Sequence, residues 1–354
     1  MSCFIAPPDL LAYVIAEGEP EEREAALRTI AASAALRVKR QLVGSLMRTL
    51  DIDVSSLGLV PSTPTSQRTV YDSEHGGRTS LPGKLVRAEG DPPSPDVAVN
   101  EAYDGAGSTF EFYRDVYERN SIDDKGLELV SSVHYGTRYE NAFWDGAQMV
   151  YGDGGGQLFN PGALTHALDV IGHELTHGVT QYTAGLEYSK QSGALNESFS
   201  DVFGVLVKQY AGHQEADEDE QKWLIGAGTL VPKWGRALRS MKEPGTAWQG
   251  DQQPGHMDQY VDLPDDNDPN NDNGGVHINS GIPNRAFYLA ATTLGGYAWE
   301  KAGRVWYVTL TQRLSPDSEF EAAATATVEV ARDLFGDEVE RAVTDAWTGV
   351  GVLS

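Results

Sequence analysis

The segment Ile171–Gly178 reads I-G-H-E-L-T-H-G, and it constrains the chain more than any other feature. His173 and His177 stand four residues apart, so a helix puts both imidazoles on one face, about one turn apart. There both can reach a single ion, and zinc accepts imidazole nitrogen at about 2.0–2.1 Å. Glu174 lies between them, angled toward the open side of such an ion, where a carboxylate can take a proton from an activated water. A catalytic zinc also needs a third protein ligand and one open position. Glu197, twenty residues after His177, is the candidate. Gly185 and the stretch Ser189–Gly193 read as breaks, so Glu197 is expected to open a second, antiparallel helix. Asp201 then falls one turn further on the same face, placed to accept the outer N–H of a ligating histidine. Taken alone, Glu197 would read as a solvated carboxylate at a helix start; the upstream motif reverses that reading.

Composition narrows the chemistry. The single cysteine, Cys3, excludes an internal disulfide and every multi-cysteine zinc site. A metal must therefore be held by histidine and carboxylate. With 27 Lys+Arg against 52 Asp+Glu, the net charge of −25 disfavours phosphate backbones and anionic lipid, so neither a nucleic acid nor a membrane is an expected partner. No apolar run is long enough to span a bilayer. The first 30 residues do not read as a Sec-type signal, because no early Lys or Arg precedes the apolar run and Pro7, Pro8 and Asp9 interrupt it. The expectation is a cytoplasmic protein or one exported by a non-Sec route.

The 354 residues divide unevenly. Residues 1–50 stand apart: Pro20 followed by Glu21, Glu22 and Glu24 marks a helix start, and Leu42, Leu46 and Leu50 form an apolar stripe that needs a larger body to pack on. Residues 51–69, with Pro61 and Pro64 among Ser and Thr, read as an exposed linker. From Val70 to about Tyr151 the composition predicts mostly strand with one helix near 110–120. From Gly162 onward the spacing predicts helices over 162–182, 193–210, 282–294 and 318–347. The Asp/Asn-rich stretch 265–273 reads as a polar loop that ends by placing Asp272.

The motif does not stand alone. Asn141-Ala142-Phe143-Trp144, Met149–Gly154, Tyr182–Leu186, Gly193–Ser198, Leu238–Met241 and Gly274–Ile282 follow one another in an order that resembles the thermolysin-like zinc metalloendopeptidases, from about Val70 to the C-terminus. The resemblance implies an α+β fold: a β-rich N-terminal catalytic subdomain, a mainly helical C-terminal subdomain, and the zinc site in the cleft between. It implies one catalytic zinc on His173, His177 and Glu197, with Glu174 activating water and passing the proton to the leaving amine. His277 and Tyr188 match the residues that stabilise the oxyanion, and Asp272 the one that orients His277. Asn141 and the Ala142 carbonyl look like the edge that holds the substrate backbone, Arg239 like the grip on a substrate carbonyl. Leu164, Val170 and Leu238 fall where the family lines a pocket for a large hydrophobic residue after the scissile bond. Peptide or protein substrates are the implied partners.

Two departures qualify the likeness. Lys208, Lys222, Leu224, Ala227 and Arg236 stand at or near positions where the family often binds a pair of calcium ions; Asp169 remains. A lysine cannot ligate calcium, so the double site is expected to be lost, with Lys208 pairing Asp169. The start of the chain, Phe4–Leu11, resembles the protealysin branch, whose short prosegment carries a Pro-Pro-hydrophobic element. That implies residues 1–60 as an inhibitory prosegment and linker acting in cis, 61–185 as the β-rich subdomain ending in the H-E-x-x-H helix, and 186–354 as the helical subdomain. Cys3 could then ligate the zinc of a silent precursor, or be an incidental thiol. Two rivals stay open on the sequence: a metallo-aminopeptidase, and a non-catalytic binding protein on the same fold.

Overall fold

The computed structural model describes residues 3–33, 64–266 and 271–354. The Leu42–Leu50 stripe, most of the 51–69 linker and the Cys3 side chain lie outside the described residues. Among the described residues, no helix is long and apolar enough to cross a membrane.

The first half of the chain is organised on one six-stranded sheet of order β1-β5-β6-β4-β2-β3. Its strands are β1 (Cys3–Phe4), β2 (Arg68–Asp72), β3 (Lys84–Ala88), β4 (Leu129–Val133), β5 (Ala142–Trp144) and β6 (Met149–Tyr151). β2 pairs in parallel with β4 and β4 with β6, while β3, β5 and β1 join antiparallel. The β5–β6 hairpin closes on Asp145, whose Oδ1 accepts the Ala147 and Gln148 N–H groups, and on Gly146 at φ 101°.

The helix expected near 110–120 is much longer: α3 runs Val97–Tyr117. Asp96 caps it by accepting the Ala98 N–H. Gly105 and Gly107 argue against a helix by propensity. They are there for packing, since a Cβ at 105 would lie 2.3 Å from Ile171 Cδ1 and one at 107 would lie 2.1 Å from Arg68 Nη1.

N-terminal to the body, α1 (Pro8–Glu17) and α2 (20–33) follow β1. The helical half contains α4 (Ala163–His166), α5 (Leu168–Gln181), α6 (Lys190–Ala211), α7 (Asp272–Asn279), α8 (Gly281–Leu294), α9 (Ala302–Gln312), α10 (Phe320–Phe335) and α11 (Asp337–Gly349), with a short ribbon of β7 (Leu224–Ile225) and β8 (Arg239–Ser240). The expected 318–347 helix is thus two, divided at Gly336 with φ 79°. The helix expected at 193 begins at Lys190 instead. Gly193 is not a breaker but a contact point, where a Cβ would sit 2.4 Å from Val276 Cγ1.

Every residue of α5 from Asp169 to Thr180 is buried. Its close partner is α6, and the approach depends on two glycines: a Cβ at Gly172 would meet Gly204 Cα at 3.1 Å, and one at Gly204 would meet the Asp169 carbonyl at 2.4 Å. That close crossing lets side chains of α6 reach those of α5 one turn along.

Candidate active site

The crossing of α5 and α6 brings three donors together. The Nε2 atoms of His173 and His177 lie 3.0 Å apart. Glu197 Oε2 is 3.4 Å from the first and Oε1 is 3.5 Å from the second. All three side chains are buried, and their ligand atoms fall within 4.8 Å of one another. No other group of three His, Cys, Asp or Glu side chains converges this way among the described residues. Glu197 sits two turns inside α6 rather than opening it as expected, because the helix starts at Lys190.

Burying such groups is costly unless each is paired. The outer face of both imidazoles is satisfied: His173 Nδ1 lies 2.7 Å from Asp201 Oδ1, and His177 Nδ1 lies 2.8 Å from Asn196 Oδ1 and 2.9 Å from Ser200 Oγ. An Nδ1–H donating outward leaves the Nε2 lone pair facing inward, the tautomer a metal requires. Asn196 and Ser200 were missed in the sequence; their signal was adjacency to Glu197 at one residue before and three after, on the face of α6 that meets α5. Asp201 is in turn held by a fork from Arg239 (Nε to Oδ2 and Nη2 to Oδ1, both 2.8 Å) and by Asn284 Nδ2 at 2.8 Å. Burial alone would raise the Asp201 carboxyl, but Arg239 and His173 outweigh it and hold it at about 2.

Inside the cluster the balance differs. Glu197 Oε2 is buried without a hydrogen-bond partner. Burial opposes its charge, yet His277, His177 and His173 hold the carboxyl well below its ordinary range. Burial likewise opposes the His173 cation, but Asp201 and Glu197 raise that ring to about 9, so a metal would take its place on Nε2 by displacing a proton. Two inward nitrogens and a carboxylate oxygen lacking a donor make a set that a divalent ion would satisfy, and the N/N/O chemistry suits zinc.

Glu174 is fully buried on α5, and its Oε2 accepts the Trp144 N–H from β5 at 2.8 Å. Across the site stands His277 on α7. Asp272, Asn273, Gly274 and Gly275 all take left-handed backbone, φ 49° to 85°. This tight turn folds Asp272 back on the helix: its Oδ2 accepts the His277 N–H at 2.7 Å and its Oδ1 lies 2.5 Å from His277 Nδ1. Two glycines make the turn affordable at that point. Desolvation lowers the His277 ring, but Asp272 and Glu197 raise it to about 9. The Tyr188 hydroxyl lies 3.2 Å from His277 Nε2 and donates to Glu197 Oε1 in a very short contact.

The edge of β5 completes the cleft. Asn141 Oδ1 and the Ala142 carbonyl face the N-terminal strand, accepting from Ala6 N–H at 3.0 Å and Ile5 N–H at 3.2 Å. Arg239 Nη1 donates to the Ile5 carbonyl at 3.4 Å, besides its fork on Asp201. Leu164, Val170 and Leu238 are fully buried in the main hydrophobic core, which runs through both halves of the fold. Away from the site, His134 bridges Asp153 at 2.7 Å and Asp96 at 2.8 Å, and is raised to about 9 chiefly by Asp153; this ties the cap of α3 to the sheet.

Comparison with known proteins agrees with this geometry. Residues 52–181 match the family model described as thermolysin metallopeptidase, catalytic domain, and residues 184–352 match its alpha-helical domain. An extracellular metalloprotease of Pectobacterium carotovorum subsp. carotovorum is 46% identical over 357 residues, 99% of this chain and 96% of that protein. Protease PrtS of a Photorhabdus species (strain Az29) is 46% identical over 356 residues, 98% of this chain and 91% of that one. Among solved structures, the precursor of protealysin, a metalloproteinase from Serratia proteamaculans, superposes with a TM-score of 0.84 at 45% identity, covering 99% of each chain. With both halves of the fold matched and the H-E-x-x-H pair facing a glutamate from the next helix, the chain belongs to the thermolysin family of zinc metalloendopeptidases.

Proposed function

We propose that this chain is the latent precursor of an endopeptidase that cuts on the N-terminal side of large hydrophobic residues. The observation that carries the reading is the convergence of His173, His177 and Glu197 beside Glu174 on one side and His277 with Tyr188 on the other. Zinc, held by the first three, supplies a Lewis acid that acidifies water and polarises a carbonyl. Glu174 takes a proton from the attacking water and delivers it to the leaving nitrogen. His277 and Tyr188 donate to the oxygen that gains charge, and Asp272 keeps His277 charged and aimed. Asp201 fixes the His173 ring. Asn141, Ala142 and Arg239 offer one acceptor pair and one donor to an extended backbone, while Leu164, Val170 and Leu238 favour an apolar side chain just past the scissile bond.

Latency follows from the N-terminal segment. β1 adds to the edge of β5, and Leu10, Leu11 and Val14 of α1 are buried behind it. Tyr13 packs against Trp234 and Trp248, and Lys233 pairs with Glu22 at 2.7 Å. A segment lying on the substrate edge in cis excludes other chains, which supports reading 1–60 as inhibitory prosegment and linker, with 61–185 and 186–354 as the two subdomains. The extracellular relative favours export over retention in the cytoplasm. Zinc-loaded protein nicked within 51–69 is expected to cleave a peptide blocked at both ends, before Leu or Phe. Release of single residues from free N-termini, with blocked peptides left whole, would instead return the aminopeptidase reading.

The double calcium site is proposed to be absent. Lys208 Nζ lies 2.7 Å from Asp169 Oδ2 and donates to the Leu224 carbonyl at 2.6 Å, so an ammonium sits among the oxygens a calcium ion would need. Arg236 is forked onto Glu220 at 2.7 and 2.5 Å. Calcium added to protein that retains its zinc is expected to leave the melting temperature unchanged in a calorimetric titration; a rise at micromolar calcium would show a retained site.

A further inference from the structure

The N-terminal strand does more than cover the cleft; its contacts bracket one peptide bond. On the acyl side, the Phe4 carbonyl oxygen lies 3.2 Å from His277 Nε2, which is itself 3.5 Å from Glu197 Oε1. On the amine side, the Ile5 N–H donates to the Ala142 carbonyl at 3.2 Å. Beyond it, Arg239 donates to the Ile5 carbonyl and the Ala6 N–H donates to Asn141 Oδ1. Before it, Cys3 pairs in register with Trp144, whose N–H holds Glu174. The strand therefore runs antiparallel to β5, with the Phe4 and Ile5 carbonyls and the Ile5 and Ala6 N–H groups each opposite a complementary group, and the centre of that pattern is the Phe4–Ile5 bond. Phe4 is 4% exposed and Ile5 0%, so both side chains flanking that bond are buried. A chain bound backwards, or shifted by one residue, would offer His277 an N–H in place of a carbonyl or turn the Ile5 side chain out of the core.

We propose that this chain is its own first substrate, and that the Phe4–Ile5 bond is hydrolysed in cis. This rests on the endopeptidase reading above. Water oxygen bonds to the Phe4 carbonyl carbon and the bond from that carbon to the Ile5 nitrogen breaks. One water proton passes through Glu174 to that nitrogen. The products are a Phe4 carboxylate and an Ile5 ammonium once the acid proton has moved to the amine. Residues 1–4 leave and β1 is lost, while the rest of the segment stays held by α1, by the Glu22–Lys233 pair and by the Ser33–Tyr139 hydrogen bond. The cut thus weakens the plug before any break in the linker.

The test follows intact mass and N-terminal sequence of zinc-loaded full-length protein over time and across a wide dilution series, beside Glu174→Gln. A new terminus at Ile5, formed at a rate independent of dilution and absent in the variant of equal zinc content, is the expected result. Formation that speeds with protein concentration, or that persists in Glu174→Gln, overturns cleavage in cis by this site. Blocked-peptide hydrolysis by protein nicked within 51–69 separates the two claims. If nicked protein cuts the peptide while the full-length chain keeps Phe4–Ile5 intact, self-cleavage alone is refuted. If nicked protein cuts nothing, the endopeptidase reading falls and the proposal falls with it.

Discussion

Glu174→Gln is expected to lower kcat/KM for a blocked peptide by about 10²–10⁴-fold, the range a positioned general base contributes. The amide keeps an oxygen for the Trp144 N–H, which now reaches Glu174 Oε2 at 2.8 Å, so the local packing should survive. What it loses is the ability to take and return a proton. Glu174 is not among the three converging donors, so zinc content should stay at one per chain. The two readouts decide the role together. A large loss of kcat with unchanged KM and unchanged zinc marks a group acting in the transition state. Loss of zinc in parallel with activity would move Glu174 into the metal shell and undo the assignment.

The parts of this arrangement that were legible in the sequence were those fixed by helical period. His173 and His177 share a face because they are four apart, and Asp201 meets His173 because it follows Glu197 by one turn. What the sequence hid was set by packing between distant segments. Gly105 and Gly107 look like helix breakers, and only the proximity of Ile171 and Arg68 shows that they permit a helix to lie close. Gly193 misled in the same way and shifted the expected start of α6. Asn196 lies within the Gly193–Ser198 motif, but its bond to His177 needs the crossing angle of two helices. β1 has only two residues and no periodicity at all; its register comes from the edge of β5, from His277 and from Arg239, none of which a local pattern can announce. The Pro-Pro element near it was visible, but not which bond it places in the cleft.

Arg239→Met, made in a Glu174→Gln background so that self-cleavage cannot confuse the measurement, is expected to destabilise the zinc-bound precursor by about 3–5 kcal/mol. Arg239 is 1% exposed and Asp201 0%, and the guanidinium gives the carboxylate two of its donors. Removing the cation leaves a buried charge supported only by Asn284 and His173, which is the costly half of breaking a buried pair. Because Asp201 also fixes the His173 ring, zinc affinity should fall by about 10–100-fold in the same protein. Arg239→Lys is the informative control. It keeps the charge but loses the fork, so it should recover part of the stability and less of the metal affinity. Pairing Arg239→Met with Asp201→Leu removes both charges and should cost less than the single change, if the energy lies in the orphaned carboxylate rather than in lost packing. Urea midpoints for these three variants, the Asp201→Leu single and the Glu174→Gln parent, measured with zinc in fixed excess, give the answer. A double variant as unstable as the sum of its singles would show that the pair holds the cleft by shape and not by charge.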